Sequence, residues 1–140
     1  MEKSSLHLQT ELVQTAHAIT QRLQGLTEAE LATPAPWHNT DFTVRFLMHR
    51  LTGHCLDHLN QLKKVRQGIG APPNEAQNIL AQYFEAQGAV LGYLAGLSDE
   101  QLAQPQREGE WSANQVLDHL LTSQKNMLAT IEKALASKQG

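Results

Sequence analysis

A chain of 140 residues is the size of one domain, and its 41% apolar content is enough to build a core. A formal charge of −3, a pI near 6.1 and the lack of any long basic run argue against nucleic acid as a partner. No apolar run approaches the ~20 residues that span a bilayer, and the lone Cys55 excludes an internal disulfide and fits a reducing compartment. Met1 to Gln24 mixes polar and apolar residues without the apolar stretch of a secretory signal. The expectation is a soluble, cytoplasmic domain.

Four long helices are predicted, with almost no strand signal. The first spans about Ser5 to Gln24, with Leu12, Ala16, Ile19 and Leu23 on one stripe. The second spans about Asp41 to Gln67, closed by Gly68 and Gly70 and barred from continuing by Pro72-Pro73. The third spans about Asn74 to Ala95, with Ile79, Tyr83, Ala86, Val90, Tyr93 and Leu94 inward. The fourth starts after Trp111, with Ser112 as N-cap and Trp111 placed to staple onto Val116, and runs to about Ala136. Lys63-Lys64-Val-Arg66, the densest basic cluster, reads as a helix C-terminus rather than a binding patch. Each helix is amphipathic, so each has one face to bury against the others.

The chain also repeats itself. Gly25-Leu-Thr-Glu-Ala-Glu-Leu-Ala-Thr-Pro34 matches Gly96-Leu-Ser-Asp-Glu-Gln-Leu-Ala-Gln-Pro105 at five of ten positions. Thr27 with Glu30 and Ser98 with Gln101 are capping boxes, each marking a short helix between long ones. After each comes an aromatic, a hydroxyl residue and a helix: Phe42-Thr43 in one half, Trp111-Ser112 in the other. The expected fold is therefore all-α, a single four-helix bundle over residues 1–140. Its pseudo-twofold repeat would have halves of about 1–70 and 71–140.

Helix phase sorts the seven histidines. With Val44 at zero and ~100° per residue, His58 falls at about 320° among the inward Leu47, Leu51, Cys55, Leu62 and Val65. His54 falls at about 280°, at the edge of that stripe, and His49 at about 140°, on the far side. Two imidazoles four apart can hold one divalent metal with a third ligand from a facing helix. His119 lies on the flank of the last helix's stripe beside the small polar Ser123, Asn126 and Thr130, which suits a pocket wall. His7, His17 and His38 read as surface residues, and Cys55 as a small core residue. There is no nucleophile elbow, phosphate-cradling glycine loop or H-E-x-x-H, and inward carboxylates are too few for a di-iron site.

Trp111-Ser-Ala-Asn-Gln-Val-Leu-Asp-His119 and His54-Cys-Leu-Asp-His58-Leu-Asn-Gln61 together resemble the DinB/YfiT-like superfamily of metal-binding four-helix bundles. The resemblance covers nearly the whole chain and implies a three-histidine metal site on His54, His58 and His119. The order of the halves is exchanged relative to the family's usual one. Phe42 stands where a Trp is usual, and Arg50 at the position equivalent to His119. For some members the family implies transferases or isomerases that use low-molecular-weight thiols, and homodimers.

The reading is a divalent-metal protein holding Zn, Ni or Fe. It would act on a small molecule as a thiol S-transferase, with a low-molecular-weight thiol as cosubstrate, or as a hydrolase. Gln61, one turn after His58, is the better candidate for a polar contact near the metal, with Ser123 a further pocket residue. Asp57 and Asp118 are weaker candidates, since sequence neighbours on a helix point ~100° apart. The alternatives are a non-catalytic bundle with a structural metal that binds a small ligand or partner protein, and a metal-free helical dimer.

Overall fold

The structure is a computed structural model that describes residues 2–139. Its helices are α1 (Ser5–Leu23), α2 (Glu28–Leu31), α3 (Val44–Gly68), α4 (Glu75–Leu94), α5 (Asp99–Ala103) and α6 (Ala113–Gln139). No strand is present among the described residues beyond isolated bridges, so the all-α expectation is met. The chain divides after Ala95 into two units, α1 to α4 and α5 to α6. The division falls at the start of the second copy of the repeated ten-residue motif.

Capping explains where the helices begin. Ser4 accepts from the backbone N–H of His7 to start α1, and Thr43 accepts from Phe46 to start α3. Thr27 with Glu30, Asn74 with Gln77 and Ser98 with Gln101 form reciprocal capping boxes at α2, α4 and α5. Ser112 and Gln115 make the same exchange at α6: the Gln115 N–H donates to Oγ at 3.3 Å, and the Ser112 N–H donates to Oε1 at 2.8 Å. Trp111, just ahead of the cap, has its ring 5.2 Å from that of His119.

In the first unit α2 lies against α3, and Arg45 reaches Glu28 at 2.6 Å. α3 ends where Gly70 takes φ +73°, a backbone region open to glycine without strain, and Pro72-Pro73 follow. Arg66, in the last turn of α3, donates to the Ala71 carbonyl and to Gln77 Oε1, both at 2.8 Å. It thereby ties the end of α3 to the start of α4. In the second unit α5 lies against α6.

A further element joins α2 to α3. Thr33 to Val44 fold into a small hairpin, with backbone hydrogen bonds from Val44 to Thr33, Ala35 to Phe42, and both ways between Trp37 and Thr40. At its tip His38 and Asn39 both have positive φ, 49° and 61°, as a type I′ turn requires. The second half has a plainer counterpart, a bridge between Pro105 and Ser112 with a turn at Gly109.

The apolar stripes are presented rather than covered. Among the described residues no apolar side chain is buried: Leu12 is 72% exposed and Leu62 58%. The helix contacts of substance are those of each short helix with the long helix after it. Ser112, at 6% exposed, is the one buried residue among those described.

Candidate metal centre and adjoining cavity

The i,i+4 spacing on α3 brings His54 and His58 together as helix geometry requires. Their Nε2 atoms are 2.9 Å apart and their rings stand nearly perpendicular, at 89°. One turn on, Gln61 Oε1 lies 2.5 Å from His58 Nδ1. An amide oxygen only accepts, so Nδ1 carries the proton and the His58 Nε2 lone pair is free to bind. Without a metal, the His54 Nε2–H donates to that lone pair.

The donor set suits a divalent cation. Two imidazole nitrogens each about 2.0–2.1 Å from one tetrahedral ion would be about 3.3 Å apart, a few tenths of an ångström beyond the hydrogen-bonded separation seen here. Gln61 on the opposite nitrogen of His58 is the outer contact that metal-bound imidazoles usually have. Among the described residues, no three metal-ligating side chains converge.

His119 lies in the second unit, exposed, with its ring 5.2 Å from that of Trp111 two turns before it. Ser123, one turn further along α6, is half-buried, and Asp118 is exposed. Asp57 accepts from Arg50 at 3.3 Å. Cys55, expected to be buried, is exposed.

The sequence reading did not anticipate what lies ahead of His54. Phe42, Phe46, Arg50, His54 and His58 follow each other at intervals of four residues, so they form one ladder along α3 and its entry. Phe42 and Phe46 stack in parallel with centroids 4.5 Å apart. The hairpin tip faces this ladder. Together Trp37, His38, Thr40, Phe42, Phe46, Arg50 and His54 line a cavity of about 450 Å³. His38 meets the Trp37 ring edge-on at 4.8 Å. The four-residue ladder was visible in the sequence; the hairpin, with no Asn-Gly or Asp-Gly to mark it, was not.

These features define a helical protein with a paired-imidazole site and an aromatic cavity beside it. Residues 82–139, from within α4 to the end of α6, match the family model of the DinB superfamily, which supports a DinB-like assignment. The matched stretch contains Trp111 and His119, while His54 and His58 lie outside it. No curated protein and no solved structure matches the chain.

Proposed function

We propose that the protein binds one divalent transition metal, Zn, Ni or Fe, through His54, His58 and His119. In this reading it is a metal-dependent enzyme acting on a small molecule. The observation that carries it is the pair of Nε2 atoms 2.9 Å apart, with the His58 tautomer set by Gln61. The DinB-like match over the stretch that holds His119 supports the third ligand. In the proposed assembly the repeated helix pairs close into a pseudo-twofold four-helix bundle, within one chain or across a homodimer. That closure covers the apolar stripes and brings α3 and α6 together.

His54, His58 and His119 would hold the metal as neutral imidazoles, and when bound it would supply Lewis-acid chemistry toward a water or a thiolate. Two reactions follow from that chemistry: transfer involving a low-molecular-weight thiol, and hydrolysis. The chain's own part is to hold His58 in the ligating tautomer and to orient substrate from the cavity ahead of His54. A second reading, a non-catalytic bundle with a structural metal, is favoured by the absence of any carboxylate from the cavity wall.

Elemental analysis of the untagged protein, purified without a chelating column, tests the proposal. About one equivalent of metal is expected, falling to near zero in His54→Ala and His58→Ala, and falling in His119→Ala to the weaker binding of the α3 pair alone. Failure to take up Zn, Ni or Fe(II) on incubation would overturn it. If the metal is present, an exchangeable site open to added thiol or azide separates the enzyme from the structural reading.

A further inference from the structure

The cavity ahead of His54 has a composition that selects its ligand. Three of its walls, Trp37, Phe42 and Phe46, are aromatic, and two of these stay substantially exposed: Trp37 at 56% and Phe46 at 47%. Its polar groups are the Thr40 hydroxyl, the imidazoles of His38 and His54, and the Arg50 guanidinium. No Asp or Glu lines it. An aromatic box without a carboxylate could attract a cation through its ring faces, but a guanidinium in the same wall opposes that. It favours an anion instead.

Arg50 has capacity to spare. Among the described residues its one hydrogen bond goes to Asp57, at 3.3 Å through one terminal nitrogen. That ion pair is exposed on both sides, at 48% and 68%, and so is weak. A guanidinium has five donors in a planar fork that matches a carboxylate in bidentate fashion. The ladder sets the order of the groups: aromatic rings at Phe42 and Phe46, the cation one turn on, the metal-site imidazole one turn beyond. At about 450 Å³ the cavity is in the size range of small-molecule pockets.

We infer that this cavity binds an aromatic carboxylate of one or two fused rings, with the ring system among Trp37, Phe42 and Phe46 and the carboxylate on Arg50. The site is built from the hairpin and α3 alone, so it stands whether or not the histidines hold a metal. If they do, the carboxylate end lies beside His54, and the aromatic carboxylate is the class of substrate for the proposed enzyme.

The test is a titration of the EDTA-treated full-length protein with 2-naphthoate, followed through the indole N–H resonances. Saturable binding is expected to shift the Trp37 signal and leave that of Trp111 in place. Arg50→Gln should weaken binding at least tenfold, as should replacing the probe with the neutral 2-naphthalenemethanol. Trp37→Ala, at an exposed hairpin position, should abolish it with helix content unchanged by circular dichroism. Arg45→Gln, which alters the Glu28 pair outside the cavity, should bind as the parent does. Equal affinity for the neutral probe, an unaffected Arg50→Gln, or no saturation would each overturn the assignment. Because the chelated protein is used, a failed metal analysis and a failed titration report on different claims.

Discussion

At His58 both ring nitrogens are engaged, Nδ1 by Gln61 and Nε2 by His54, and this fixes which one can bind a cation. Removing Gln61 leaves the imidazole free to change tautomer and to rotate. Gln61→Ala is therefore expected to weaken metal affinity by about 10–100-fold while retaining stoichiometry, as read by competition with a chelator. Glu30 is a second residue whose chemistry is set locally. The backbone N–H of Thr27 donates to its carboxylate, with the Thr27 hydroxyl and Arg22 adding to the effect, and its pKa is held below the ordinary glutamate value. A carboxyl depressed in the folded state stabilises it above the unfolded pKa, and the contribution is lost as pH falls through the folded one. Protection of the amides at the start of α2, relative to their intrinsic exchange rates, should therefore fall in acid below the ordinary carboxylate range. In Thr27→Ala the Glu30 titration, followed by NMR, should move up. Asn39 shows a backbone constraint of the same local kind. At φ 61° it tolerates Gly, whereas Asn39→Val should cost about 1–2 kcal/mol and speed exchange of the Thr40 amide, hydrogen-bonded across the tip.

Among the elements, those governed by nearby residues were legible in the sequence. The capping boxes at Thr27 and Ser98, the end of α3 before Pro72-Pro73, and the N-cap at Ser112 all lie where turn and cap chemistry put them. α3 begins at Val44 rather than near Asp41, because the hairpin takes up the residues before it and Thr43 caps the helix. The hairpin itself was not legible. Its turn is made by His38 and Asn39, both non-glycine at positive φ, and the alternation over 33–44 is too short to separate from a loop. The histidine pair was legible because i,i+4 on a helix is a rigid relation; Trp37 opposite the ladder depends on the hairpin and was not. Ser112→Ala removes one half of the α6 box at a buried position, with an expected loss of about 1 kcal/mol, or roughly 3–5 °C in Tm by circular dichroism.

On the scale of the whole molecule, periodicity showed which face of each long helix is apolar but not what covers it. Leu62 on α3 and Ile131 on α6 are 58% and 55% exposed. Burial of such stripes is the main source of stability in helical domains, at about 25 cal/mol per Å². If the stripes pack as a four-helix bundle, Leu62→Asp and Ile131→Asn should each cost about 2–4 kcal/mol in urea unfolding, whereas stripes left in water would lose within about 0.5 kcal/mol. In the proposed bundle, the same closure would join His119 to the pair on α3. The most direct test of that triad is X-ray absorption at the metal edge of the zinc-loaded, full-length protein. The account predicts three imidazoles around one zinc, with the imidazole count falling in His119→Ala. A coordination shell with two or fewer imidazoles in the parent protein, unchanged when His119 is replaced, would contradict it.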